Sequence, residues 1–124
     1  MTQEQKELLL KDLCARLPYG VRVHLVFDEN LQVTRELGLN SLHDIMFGNA
    51  NGKPYLRPMS SMTEEEKKDR DNIVEAVYDG AVIDDEFENV IKYVDWLNAH
   101  HFDYHDLIPM NLAIEVTEEN NPYK

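Results

Sequence analysis

Residues 95–106, DWLNAHHFDYHD, hold the side chains of this chain that are best suited to chemistry. If the segment is extended, His101, Asp103 and His105 point to one side, because successive side chains of a strand alternate. Two imidazoles and one carboxylate can hold zinc or iron and leave coordination positions open for water. One hypothesis is therefore a metal-dependent hydrolase that uses these three residues.

The same segment also has a structural interpretation. We expect the helix that carries Trp96 to end near His100 or His101, where histidine suits the negative end of the helix dipole. The aromatic and aliphatic residues that follow would anchor the exiting chain to the core, with Asp103 or Asp106 capping a short turn. A short cluster without a fourth ligand elsewhere favours this anchor. We therefore predict no metal, no cofactor and no catalytic residue.

A second candidate site precedes the helix that we expect to begin near Thr63. Free N–H groups at a helix N-terminus favour an anion, such as a nucleotide phosphate. Three glutamates follow directly, and their carboxylates compete with an anion for the positive end of the helix dipole. We favour turn and cap hydrogen bonds for the serines, and a carboxylate partner for the arginine. The candidate ligands are Arg57, Ser60, Ser61 and Thr63.

The charge of the chain limits its partners. Its 124 residues include 24 acidic and 12 basic ones, for a net charge of −12. Such a chain repels phosphate backbones, so we expect no direct binding to nucleic acid. An acidic face attracts basic partners, including nucleic-acid-binding proteins whose site it imitates. The candidate interaction residues are Glu64, Glu65, Glu66, Asp84 and Asp85.

Other features of the composition indicate the compartment. The apolar runs are too short to span a bilayer, and the N-terminus lacks the pattern of a signal peptide. Cys14 is the single cysteine, so it has no partner for an intrachain disulfide, and it lies on the expected apolar stripe of the first helix. We predict a cytoplasmic protein without a membrane segment.

The hydrophobic pattern predicts one α+β domain over residues 1–124. A capping box at Thr2 opens a helix to residue 17, and alternating residues predict strands near 21–27 and 31–37. Residues 42–47 are predicted as a strand, with one helical turn as the alternative, followed by a loop. A second capping box at Thr63 opens a helix that Asp79-Gly80 ends, and Asp84 is expected to cap a third helix. A closing strand near 112–116 completes an antiparallel sheet of three to four strands. The tail that follows, residues 117–124, is expected to be frayed.

Three blocks of the sequence carry a resemblance. LKDLCARLPYGV, KPYLRPMSSMTEEE and VDWLNAHHFDYHDLI, which cover about half the chain, resemble a family of small uncharacterised proteins encoded by phages and mobile elements of gut bacteria. The resemblance implies a phage or prophage origin and the cytoplasm of a bacterial host, but no established activity. The family often has Arg-Gly where this chain has His105-Asp106, so a metal site that needs His105 would not be a family property.

These observations favour a non-enzymatic accessory protein that binds a host or viral macromolecule, and we expect that macromolecule to be a protein. A homo-oligomer is compatible with the sequence. Three alternatives stay open: an acidic inhibitor that imitates nucleic acid, the metal-dependent hydrolase, and an anion binder at the 57–63 turn.

Overall fold

The computed structural model describes residues 1–78 and 83–124, with the side chains of residues 1–74 and 90–124. In these residues four α-helices combine with one four-stranded mixed sheet, which confirms the predicted α+β fold with an N-terminal helix. Two 3-10 helices, Leu17–Tyr19 and Met59–Ser61, lie between them. The elements in chain order are α1 Gln3–Arg16, β1 Arg22–Asp28, β2 Leu31–Glu36, α2 Leu39–Met46, β3 Asn51–Leu56, α3 Glu64–Tyr78, α4 Ile83–Ala99 and β4 Ile114–Glu115.

Local signals set both ends of α1. The hydroxyl of Thr2 accepts the N–H of Gln5, and the amide oxygen of Gln5 accepts the N–H of Thr2 in return. The helix tightens into the 3-10 turn that contains Pro18 and stops at Gly20, whose φ of 70° lies in the left-handed region that favours glycine. The capping box and the stop at Pro18 and Gly20 are confirmed.

The inner face of α1 differs from the predicted apolar stripe. Leu9 and Leu13 are buried as expected, but Cys14 is exposed. The side chains that accompany the two leucines into the interior are Asp12 and Arg16, which are fully buried. The placement of Cys14 on the buried face was wrong, because it is rotated about 100° from Leu13 on the helix.

The sheet has the order β2-β1-β3-β4. β1 pairs antiparallel with both β2 and β3, as the alternating pattern of residues 21–27 predicts. β3 and β4 are parallel, although the sequence predicted a wholly antiparallel sheet. The reason is the connection: a chain segment that contains α3 and α4 is long enough to return to the same end of the sheet before β4 begins.

Residues 42–47 form most of α2, so the prediction of a strand was wrong. The buried positions are Ser41, Leu42 and Ile45, which share one face of a helix. A strand would have placed Leu42 and Asp44 on the same face, mixing an apolar and a charged side chain. β3 then begins at Asn51, inside the segment predicted as a loop, and continues through Pro54.

Two apolar clusters form the core. The larger joins α1, the sheet and α2, and includes the fully buried Leu13, Leu25 and Leu56. The smaller joins Met62, Leu97 and Phe102, with Trp96 packed against them. The smaller cluster fixes the end of α4 and the segment after it, where the candidate site residues lie.

Two predicted helix boundaries, the end of α3 and the start of α4, lie within or next to the residues that the structure does not describe. The Asp79-Gly80 stop lies outside the described residues, and α4 begins at Ile83, one residue before the expected cap, Asp84. The side chains of Asp84 and Asp85 also lie outside the described part. In the residues that are described, no helix has both the length and the apolar character that crossing a membrane requires.

The C-terminal tail is packed against the sheet, whereas we predicted that it is frayed. Thr117 and Asn120 close a turn with their side chains. The hydroxyl of Tyr123 accepts the N–H of Arg22 at 3.1 Å and donates to the carbonyl of Tyr55 at 2.7 Å. Tyr123 therefore bridges β1 and β3 just beyond their last paired residues, Val23 and Pro54.

Candidate functional site

Asp103 caps the turn that follows α4. Its two carboxylate oxygens accept the backbone N–H groups of Leu107 at 2.8 Å and Ile108 at 2.9 Å. The side chain is 4% exposed, so these hydrogen bonds are shielded from water. Phe102 beside it is fully buried under Trp96. The anchor interpretation of this segment is confirmed.

His101 is held away from Asp103 by an unusual backbone conformation. Its φ of 62° lies in the left-handed region, and its ring stacks on Tyr123 with centroids 3.9 Å apart. Burial, aided by the positive charge of Arg16, lowers the pKa of His101 to about 4. Its Nδ1 is buried and has no hydrogen-bond partner among the described residues. The ring is therefore neutral at physiological pH and packs against Tyr123.

His105 binds a carboxylate that the sequence analysis did not single out. Its Nδ1 lies 2.7 Å from Oδ2 of Asp12, on α1. Arg16, one turn further along α1, binds the same carboxylate and donates to the carbonyl of Phe102 at 2.7 Å. The guanidinium of Arg16 also lies over the ring of Tyr104. This cluster ties α1 to the segment after α4.

The three candidate metal ligands therefore have three different partners. Asp103 binds backbone, His101 packs on Tyr123, and His105 pairs with Asp12. The described residues contain no group of three or more His, Cys, Asp or Glu side chains that could hold a metal ion. The His105–Asp12 pair resembles the arrangement that orients a catalytic histidine, but Arg16 already neutralises Asp12. This geometry gives the hydrolase hypothesis no support.

The 57–63 turn also uses its polar groups internally. Arg57 donates to both carboxylate oxygens of Glu66, at 2.7 and 2.6 Å. These hydrogen bonds lower the pKa of Glu66 to about 2, although burial opposes the shift. Thr63 and Glu66 form the predicted capping box, and the hydroxyl of Ser61 donates to the carbonyl of Pro58. Ser60 is exposed. The arginine that would bind an anion is thus already paired, as we predicted.

The predicted acidic surface is smaller than its sequence suggests. Glu64 and Glu65 are exposed on the first turn of α3, but Glu66 is half-buried against Arg57. Lys67 lies 3.3 Å from Glu64 and reduces its charge. The remaining two candidates, Asp84 and Asp85, have no described side chains. Two of the three described candidates therefore lie beside a basic side chain, which weakens their imitation of a nucleic-acid backbone.

A different surface presents unusual side chains. Leu39 is 73% exposed, Phe47 65% and Met46 44%, all on or next to α2. His43, on the same outer side, is exposed, and its ring lies 4.4 Å from that of Phe47. We call Leu39, His43, Met46 and Phe47 the α2 face. Single exposed apolar residues are normal on a protein surface, but a group of three around one short helix indicates a contact surface.

A second group of exposed apolar residues lies on α4 and comprises Val90, Ile91 and Val94. It borders the side chains of residues 75–89, which lie outside the described part of the chain. The side chains of all four residues of the α2 face are described, and we therefore take the α2 face as the candidate functional site.

Sequence analysis missed two features of these sites. The spacing of Asp12 and Arg16, four residues apart on a helix, is a readable signal of an ion pair, but nothing local indicates that it is buried. The α2 face was missed because residues 42–47 were predicted as a strand.

The chain matches no family model, and no curated protein or solved structure is significantly similar to it. The resemblance to phage-encoded proteins therefore stays a prediction.

Proposed function

We propose that this protein is a non-enzymatic interaction module that binds a protein partner through the α2 face. The observation that carries the proposal is the exposure of Leu39, Met46 and Phe47 around one helix. Aromatic residues and methionine are enriched in the centres of protein interfaces, where burying them contributes most of the binding energy.

α2 carries apolar side chains on both its inner and its outer side, and the outer ones are not needed to pack the helix against the core. Leu42 and Ile45 face the core and fix the helix to the domain. Those inward residues suffice to anchor eight residues, so Leu39 and Phe47 add apolar surface without adding to the core. A partner that covers them would remove that surface from water at about 25 cal/mol per Å².

Charge indicates what kind of partner fits. The whole chain has a net charge of −12, and residues 36–49, which lead into and form α2, contain Glu36 and Asp44 and no Lys or Arg. Opposite charge around an apolar contact speeds association and selects the partner. The proposed partner is therefore a basic protein with an apolar groove.

The non-enzymatic part of the proposal is supported by the contacts of the residues best suited to chemistry. Asp103 and Arg57 are used to cap a turn and to hold α3, and Asp12 is neutralised by Arg16. If the resemblance to phage proteins holds, the partner belongs to the infected bacterium or to the phage, and the site of action is the host cytoplasm.

The test compares capture by matched variants. Tagged wild-type protein, a Leu39→Ser/Phe47→Ser variant and a Leu31→Ser control are incubated with lysate of the bacterium that carries the gene. Leu31 is the control because it is also an exposed apolar residue, 49% exposed, but lies outside α2 at the β1–β2 turn. Circular dichroism verifies that all three chains are folded.

The proposal expects one basic protein that wild type and Leu31→Ser capture equally and the double variant does not. With that partner purified, the double substitution should weaken its affinity at least about tenfold, as loss of an interface centre does. Recovery of the bait alone, or equal capture by all three chains, would overturn the proposal.

A further inference from the structure

A cavity of about 400 Å³ lies between α1, the end of α2, β3 and the segment before β4. This volume falls within the range of about 300–1,000 Å³ that small-molecule sites occupy. Its side chains are not those of the α2 face, so it is a second, independent site.

The inner wall of the cavity is aliphatic. It is formed by Leu9, Leu10, Ile45, Ala50, Met110 and Leu112. Most of these belong to the larger core cluster, so they are held in place by the fold. Ile45 lies directly on the backbone of β3, because a Cβ built at Gly52 would overlap its side chain. Among the described residues that line the cavity there is no aromatic ring, so the wall suits a flexible chain better than a flat one.

The charged side chains that line the cavity are basic. Lys6 and Lys53 line it, and no Asp or Glu is among its described lining residues. In a chain with twice as many acidic as basic residues, this local excess of positive charge is unusual. Gln5, Asn51 and Asn111 add neutral hydrogen-bonding groups beside the lysines.

Lys53 is positioned by a strained residue. Its Nζ donates to Oδ1 of Asn111 at 3.1 Å, and Asn111 has a φ of 60°. Asparagine tolerates the left-handed region better than most residues, but the conformation still costs energy. The turn at Asn111 therefore holds one of the two lysines that line the cavity, and α1 carries the other, Lys6.

We propose that this cavity binds an aliphatic carboxylate of medium chain length. The carboxylate lies between Lys6 and Lys53 at the mouth, and the alkyl chain fills the aliphatic interior. Both parts are needed: the lysines provide the charge complement, and the wall provides the apolar contact that a small inorganic anion would not use.

Calorimetry with hexanoate, octanoate and decanoate, each below its critical micelle concentration, tests the proposal. One site per chain is expected, with affinity rising about fourfold for each added methylene group, which is the transfer free energy of a buried CH₂. Octanol, which has the chain without the charge, should bind more weakly than octanoate.

Matched lysine variants test the mouth. Lys6→Met and Lys53→Met keep the apolar stem of the side chain and remove its charge, and each should weaken octanoate binding about two- to fivefold. Lys11→Met is the control, because Lys11 is exposed on the same helix and does not line the cavity. A spin-labelled alkanoate should broaden the NMR signals of the Ile45 methyl groups and leave those of Val94 unchanged.

Several results would overturn the proposal. They are absence of binding by any of the three alkanoates, equal affinity for octanol and octanoate, an equal loss in Lys11→Met, and binding to anionic lipid vesicles without binding to free alkanoate. The two proposals can fail separately. Alkanoate binding without capture of a protein at the α2 face would support this proposal alone, and capture without alkanoate binding would support the proposed function alone.

Discussion

The rings of His101 and Tyr123 stack almost in parallel, with centroids 3.9 Å apart and an angle of 10° between their planes. The contact joins the segment after α4 to the C-terminal tail. It explains why His101 is turned away from Asp103 and why the tail is ordered. One of the two histidines in the candidate metal triad thus holds the end of the chain.

Tyr123 should stabilise the sheet through its hydroxyl group. Tyr123→Phe keeps the stacking but removes the acceptor for Arg22 N–H and the donor to Tyr55 C=O. We expect a loss of about 1–3 kcal/mol in the free energy of unfolding, measured by urea denaturation. Lys124→Ala, at an exposed neighbour, is the control and should be neutral. Equal stability of Tyr123→Phe and wild type would show that the bridge contributes nothing.

His101 should make stability depend on pH. Its pKa is about 4 in the folded chain, compared with its usual 6.5, so the unfolded chain binds a proton that the folded chain does not. This contribution to stability is full above about pH 6.5 and is lost as the pH falls to about 4.

His101→Asn removes that titration and suits the left-handed backbone. The free energy of unfolding of this variant, measured at about pH 7 and about pH 4.5, should change less with pH than that of wild type. His43→Asn, at an exposed histidine, should keep the wild-type pH dependence. An unchanged pH dependence in His101→Asn would refute the assignment.

Glu66 should contribute stability over a lower pH range. Because its pKa is lowered from 4.5 to about 2, its contribution is present above about pH 4.5 and is lost as the pH falls towards 2. Glu66→Gln should lose about 1–3 kcal/mol near neutral pH, the value of a hydrogen bond to a charged group, and should equal wild type near pH 2. Glu65→Gln, which is exposed, is the control. A loss that is independent of pH would contradict the role of the Arg57–Glu66 pair.

Asp103 should be needed for folding stability and not for metal binding. Asp103→Asn replaces one of the two carboxylate oxygens with an NH₂ group, which cannot accept a hydrogen bond, so the N–H of either Leu107 or Ile108 loses its acceptor. The expected cost is about 1–3 kcal/mol, whereas Asp106→Asn, at an exposed aspartate, should stay within about 0.5 kcal/mol of wild type. Zinc should leave the Tm of the wild-type protein unchanged in a thermal-shift assay. A zinc-dependent rise in Tm that Asp103→Asn abolishes would favour the metal site instead.

The sequence predicts those elements whose signals lie within a few residues. The capping boxes at Thr2 and Thr63 each use a partner three residues away, and the turn at Asp103 uses N–H groups four and five residues away. These contacts are decided locally, so residue types and spacing are enough to find them.

Contacts between distant parts of the chain could not be predicted in this way. Asp12 and His105 are far apart in sequence, and only the packing of α1 against the segment after α4 brings them together. α2 was misassigned because eight residues give too short a pattern to separate helix from strand. That error concealed the α2 face, which is visible only once Leu42 and Ile45 are known to point inward.

The central claim is that the α2 face is the surface that contacts a partner, and site-specific cross-linking tests it most directly. A photoreactive amino acid replaces Phe47 in one chain and Leu31 in a matched chain, and both are illuminated in lysate of the organism that carries the gene. We predict a discrete cross-linked product with a basic protein from position 47 and none from position 31. Cross-linking at position 31 alone, or at neither position, would contradict the account.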